Sequence, residues 1–484
     1  MLPVVPERAL LELGRTEGGP DTLRLLVRDQ HTRRLLLLRA VLDAAEVADA
    51  GVCSAGARGR LLEDWALLEE AERTVAPSAS ARVGAEAGTY GPVRAGLLHP
   101  FIGPWARHCL RGLGAAGGPR AERDTRELNR DLGYFGALAA VAAARSGVPF
   151  EVRLTARDGV LTLPSLGSLR TNVPGDTQVR VVHRRQRLTL GQVGEADIVV
   201  HLQSGIGAWS CAAAWTPAYA LPGLLSDSDP VPLDDLDPYR TVRGGPRHHA
   251  LSGPVTLDDA ERKRWLHAWS GTASALGPGG EHRLAETLSL LRCLVPLSAP
   301  PGSEPGGRPG GSCSGTRREA FGAVLSTTPP TPTTFAATLV HELQHTKLSA
   351  LCDMLTLHRA GPQARYFAPW RPDPRPYDGL LQGAYSHLAL ADFFQRHALA
   401  TAHPAHRDSA WAQHARYQEQ VRAVLPILVG SADLTAQGRQ FVDQMVAVHE
   451  RLAGRPAPRG QAARAAAYVK AARALWTQRH APAE

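Results

Sequence analysis

Thr334-Phe335-Ala336-Ala337-Thr338-Leu339-Val340-His341-Glu342-Leu343-Gln344-His345 runs without a Gly or Pro and follows Pro332 and Thr333. Thr333 and Thr334 are acceptable N-cap residues, so the stretch reads as an apolar helix ending in an HExxH motif. Positions i and i+4 share one helix face, so His341 and His345 can chelate one divalent ion. Glu342 projects beside them. Its carboxylate can deprotonate a metal-bound water or orient a ligand from behind, which makes it the candidate catalytic residue.

Two histidines hold a metal weakly, so a third ligand is sought. Leu348 and Leu351 stand where a metzincin has its turn glycine and third histidine, which excludes that class. A thermolysin-like site takes a glutamate from a following helix. Here the next one after Glu342 is Glu419, which disfavours that arrangement. His358, if on the same helix, lies about 20 Å from His345 along the axis and cannot reach the same ion. His387 is the preferred third ligand. It sits among Leu380, Gly383, Ala384, Ala391 and Phe394 on the next predicted helix, and Gly383 would let that helix approach another closely. A satisfied core histidine is the competing reading of His387, and Asp378 and Asp392 are fallback ligands.

Outward from the motif the pattern is α+β, predominantly α-helical with a small β-rich insert, the HExxH helix being packed against a following helix. Helical spacing over 23–50 and 59–75 gives an N-terminal helical region, 1–90, which a Ser/Ala/Gly-rich linker over 76–92 closes. The rest, 91–484, reads as one metalloenzyme domain. Its β-rich insert spans about 150–202, where Asp158-Gly159 signals a hairpin, and its helical core spans about 257–480. Ser298–Gly315 is Pro/Gly/Ser-rich and reads as a long loop just upstream of the motif.

Composition narrows the function classes. The chain has 484 residues, 44% hydrophobic, with a formal charge of +8. The positive charge is scattered arginine with no Lys/Arg block, so no nucleic-acid partner is expected. Six cysteines without a CxxC pair provide neither a zinc ribbon nor an iron–sulfur cluster, and fit a reducing cytoplasm. The start lacks a signal-peptide pattern, and the longest apolar stretch, near Phe135–Ala144, is too short for a membrane span. A cytoplasmic location with no membrane association is expected.

Between the two site helices, Pro369-Trp370-Arg371-Pro372-Asp373-Pro374-Arg375-Pro376 is stiffened by four prolines. Arg371 and Arg375 suit bidentate capture of a carboxylate, from a 2-oxo acid or a peptide, unless they are solvated turn residues.

Together, Arg318-Glu319-Ala320-Phe321-Gly322-Ala323, Leu339 through His345, Pro369 through Pro376 and Gly379-Leu380-Leu381-Gln382-Gly383 resemble the HExxH-motif peptide-modification proteins associated with radical-SAM peptide maturases. The resemblance spans roughly 90–450, is clearest over 315–395, and extends to Leu233-Asp234-Asp235-Leu236-Asp237-Pro238-Tyr239-Arg240. It implies a peptide β-hydroxylase that uses Fe(II) and 2-oxoglutarate on a ribosomally synthesised precursor peptide. Any radical-SAM maturase would be a separate protein, since this chain lacks its cysteine cluster. The usual oxygenase triad is two histidines and a carboxylate, whereas the set favoured here is His341, His345 and His387. The alternatives are a Zn(II) peptidase with Glu342 as general base, and a non-catalytic peptide-binding scaffold.

Overall fold

The computed structural model describes residues 4–79, 90–114, 122–241, 253–299 and 313–480. Most of the predicted linker and most of the predicted loop before the motif, at 80–89 and 300–312, lie outside the described residues. The architecture is mixed α+β and mainly helical, with three small sheets among the described residues.

The strand-rich part begins where expected and runs further. One antiparallel sheet is built from Phe150–Ala156, Thr177–Arg184, Arg187–Gly191, Ile198–Leu202 and Ala208–Trp209, in that spatial order. At the predicted hairpin, Asp158 and Gly159 both take positive φ, 51° and 78°, as a type I′ turn requires. Arg185 and Gln186 make the same kind of turn, at 49° and 65°, without a glycine to announce it.

The sheet beneath the motif was not foreseen. Its order is Ser314–Thr316, Ala323–Thr327, Cys293–Leu297, Val231–Leu233, Tyr219–Leu221. Cys293–Leu297 runs parallel to both of its neighbours, and every residue of it and of Ala323–Thr327 is buried. A five-residue apolar run buried on both faces has no period-2 alternation. In sequence Cys293–Leu297 therefore reads as a continuation of the helical spacing before it, and the structure makes it a strand. Ser314 and Gly315, assigned to a loop by composition, belong to the edge strand.

The motif helix spans Pro332–Met354. It starts earlier than the sequence suggested. Thr331 is the N-cap, its hydroxyl accepting from the Thr334 amide, and Pro332 takes the first helical position, where no N–H is needed. The helix ends before His358, which bridges to Leu434 and lies 3.5 Å from Asp378. The following helix, Tyr377–Ala400, carries His387.

The first two helices, Glu7–Gly14 and Pro20–Val47, join the same core as the motif helix. Leu10, Leu13, Leu23 and Leu26 cluster with Leu339, Leu343 and Leu351. The Tyr385 hydroxyl donates to the Leu13 carbonyl at 2.7 Å.

A buried charge cluster locks these pieces. Lys347 Nζ lies 2.5 Å from Glu286 Oε1 and donates to the Thr16 carbonyl at 3.0 Å. Arg283 lies 3.1 Å from Glu286, 3.7 Å from Asp392, and donates to the same Thr16 carbonyl at 2.7 Å. Opposite charges and carbonyl acceptors compensate the desolvation of these groups, and removing one partner leaves an uncompensated charge. Glu286→Gln should therefore cost about 3–5 kcal/mol, read as a lower urea midpoint at unchanged m. A loss under about 1 kcal/mol, the scale of one ordinary hydrogen bond, would show that the cluster does not hold the helices together.

Candidate metal centre

The two motif histidines turn toward one point. His341 Nε2 and His345 Nε2 are 3.2 Å apart. Two imidazole nitrogens bound to one tetrahedral ion at about 2.0–2.1 Å would stand about 3.3 Å apart, so the pair has the spacing of metal ligands. The other ring nitrogen of His345, Nδ1, sits 3.1 Å from Gln382 Oε1. That oxygen only accepts, so Nδ1 carries the proton and Nε2 keeps its lone pair for the shared point. Burial, then the neighbouring His345 and His387, hold the His341 imidazole well below its usual pKa, which keeps it neutral and able to ligate.

His387 flanks the pair, its ring centroid 5.6 Å from that of His341. It is packed edge-on against Trp370 at 4.6 Å and Tyr417 at 5.1 Å. Its Nδ1 is buried beside the Gln420 amide, and burial, with His345 and Arg416 nearby, pushes its pKa down to about 3 against the pull of Gln420. Even so, among the described residues no three His, Cys, Asp or Glu side chains assemble into a set able to hold a metal ion. The donor set present is thus the His341–His345 pair with a neutral His387 ring beside it. The fallback carboxylates are engaged elsewhere. Asp392 is ion-paired with Arg283, Arg396 and Arg451, and Asp378 is exposed beside His358. Glu419 is paired with Arg422.

Glu342 is 2% exposed, with Oε1 3.9 Å from His341 Nε2. The Ser314 hydroxyl donates to Oε1 at 2.7 Å, while Oε2 is buried without a partner. Burial raises the carboxyl above the usual range, against the opposing pull of His345 and of the Ser314 and Thr316 hydroxyls. The edge strand therefore grips Glu342 from the side facing the sheet.

The Pro-rich connector delivers an aromatic ring rather than its arginines. A Cβ on Gly383 would lie 2.4 Å from Trp370 Cζ2, so the glycine admits this indole against the helix. What approaches closely at Gly383 is thus the connector's own tryptophan. Arg371 is exposed and Arg375 half-buried, its Nη1 3.7 Å from Asp373 and its guanidinium over Gly379.

Ser314, Thr316, Trp370, Gln382 and Tyr417 were not singled out by sequence. Gln382 carried a signal, as a polar side chain within an otherwise apolar stretch of helix. The strand hydroxyls carried none, because their relation to Glu342 exists only through sheet pairing. No family model matches the chain, and no curated protein matches it.

Gln382→Leu should weaken metal binding about 10–100-fold, the usual cost of losing a hydrogen bond that orients a ligating imidazole. Titration with Zn(II) or Co(II) against a chelator reads this directly, and unchanged affinity would show that Gln382 does not set the His345 tautomer. His387→Ala should abolish stoichiometric binding, and retained binding would remove His387 as the third ligand.

Proposed function

We propose that this chain is a metal-dependent peptide-modifying enzyme, best read as an Fe(II)- and 2-oxoglutarate-dependent peptide β-hydroxylase. The observation that carries the reading is the 3.2 Å approach of His341 Nε2 and His345 Nε2 beside the neutral His387 ring. It is supported by the commitment of Glu419 to Arg422, which leaves the thermolysin-like ligand set without its carboxylate. It also draws on the resemblance carried by the motif, the Pro-rich connector and Gly379 through Gly383.

His341 and His345 would hold the ion, with Gln382 fixing the His345 ring and His387 beside the pair as the proposed third ligand. Iron in such a site supplies the oxidation of an unactivated C–H bond, with 2-oxoglutarate as the co-reductant of O₂. The rest falls to the chain. Of the connector's two arginines, Arg371 is exposed and forms no ion pair among the described residues, so it is the one free to swing onto a 2-oxoglutarate carboxylate. Arg375, beside Asp373 and paired through its backbone with Tyr366, steadies the connector. Trp370 and Tyr417 wall the His387 side with apolar surface and exclude water there. Glu342, held by Ser314, orients polar ligands at the centre. The substrate is a ribosomally made precursor peptide, and a radical-SAM maturase would act on it as a separate protein.

One observation favours the runner-up, a Zn(II) peptidase. Glu342 stands next to the histidine pair with one oxygen unpaired, where a general base would act on a metal-bound water.

The two separate in one assay. The full-length protein is incubated with Fe(II), 2-oxoglutarate, ascorbate and the small peptide encoded beside its gene, followed by mass spectrometry. Hydroxylation gives a gain of one oxygen atom that His341→Ala abolishes and that Arg371→Ala diminishes by raising the KM for 2-oxoglutarate. Shorter fragments formed with Zn(II) alone, lost in Glu342→Gln, would overturn the hydroxylase reading in favour of proteolysis.

A further inference from the structure

A second polar site lies away from the histidines. The helices Pro20–Val47 and Ile102–Gly114, together with the last turn of the motif helix, border a cavity of about 290 Å³. Arg34 lines it and is only 3% exposed. Its Nη1 donates to the Leu98 carbonyl and its Nη2 to the Phe321 carbonyl, the latter at 3.0 Å. Among the described residues no carboxylate pairs with it, and burial pulls the guanidinium down to about 10. A guanidinium has five N–H donors, and two backbone carbonyls compensate neither its charge nor all of its donors.

The carboxylates in the same wall are already taken. Glu319 is 2.9 Å from Arg317. Asp353 is 2.5 Å from Arg318 and also accepts from Gln30 at 2.9 Å. Arg33 is closed by Asp29 at 2.6 Å and by the Asp353 carbonyl at 2.5 Å. Arg107, exposed at the rim, has no ion pair among the described residues. The cavity thus presents a buried guanidinium, Arg34, that no carboxylate in its wall pairs with, and an exposed one, Arg107, that feels the charge of Glu319 without forming an ion pair among the described residues.

We propose that this cavity is a carboxylate-binding site, with Arg34 as the buried anchor and Arg107 at the entrance. A planar carboxylate matches the guanidinium fork and brings the charge that Arg34 lacks. The carboxylate can belong to a free dicarboxylate or to an acidic side chain of a peptide. The site needs no metal and is independent of the chemistry assigned to the histidines.

Calorimetric titration of the full-length protein at low salt tests this with succinate, inorganic phosphate, a Glu-Gly hexapeptide and its Gln-Gly counterpart. Succinate, the Glu peptide or both should bind, while the Gln peptide should not. Binding should survive His341→Ala and weaken about tenfold or more in Arg107→Ala and in Arg34→Gln. Succinate alone would identify a free carboxylate as the ligand, and the Glu peptide alone an acidic peptide segment. Should Arg34→Gln fail to fold, Arg107→Ala carries the test. Three results would each overturn the proposal: no carboxylate binding, binding that falls in His341→Ala but not in Arg107→Ala, or phosphate binding tighter than either carboxylate.

Discussion

Glu286 is the point on which the arrangement turns. Its carboxylate is buried between Lys347 of the motif helix and Arg283 of its own helix, and Arg283 reaches on to Asp392 of the His387 helix. Both cations also donate to the Thr16 carbonyl, just past the first helix. A buried ion cluster of this kind adds little net stability over an apolar core, but it tolerates few alternative geometries. It therefore fixes the rotation of the motif helix. Lys347 and Gln344 point toward Glu286, and the face bearing His341 and His345 is left for the site.

With that rotation set, the site is finished by groups from three separate elements. The His387 helix contributes Gln382, which fixes a tautomer, and His387 itself. The edge strand contributes Ser314, which holds Glu342. The connector contributes Trp370, which Gly383 admits by having no side chain. Each does a different physical job, and none is a neighbour in sequence of the histidines it serves. The same distribution explains why Glu342 is so deeply buried. It is enclosed between its helix and the edge strand, where one oxygen is held by a hydroxyl and the other is left without a partner.

The second cavity follows from the same packing. The Pro20–Val47 helix runs along the same core as the motif helix, which brings Arg33 to the last turn of that helix with Arg34 next to it in the chain. Arg34 then bridges two backbone segments through the carbonyls of Leu98 and Phe321. Carbonyl acceptors orient a guanidinium without neutralising it, which leaves a buried positive charge in a cavity wall.

Much of the helical framework was legible, because amphipathic spacing and the Pro and Gly punctuation are local signals. The Asp158-Gly159 hairpin was legible for the same reason, as was the shared face of His341 and His345, since both follow from the geometry of a few consecutive residues. The mixed sheet was not. Cys293–Leu297 and Ala323–Thr327 owe their strand form to parallel pairing across a long sequence separation, and a short run buried on both faces carries no period. The sequence by itself determined that two imidazoles and a carboxylate would share one turn of helix. Only the tertiary structure decided which way that turn faces, that Gln382 and Ser314 hold its side chains, that Trp370 rather than Arg371 or Arg375 packs against His387, and that Asp392 serves the charge cluster. Spacing along one helix is fixed by backbone hydrogen bonds, whereas contacts between elements are fixed by which buried charges and volumes must be satisfied together.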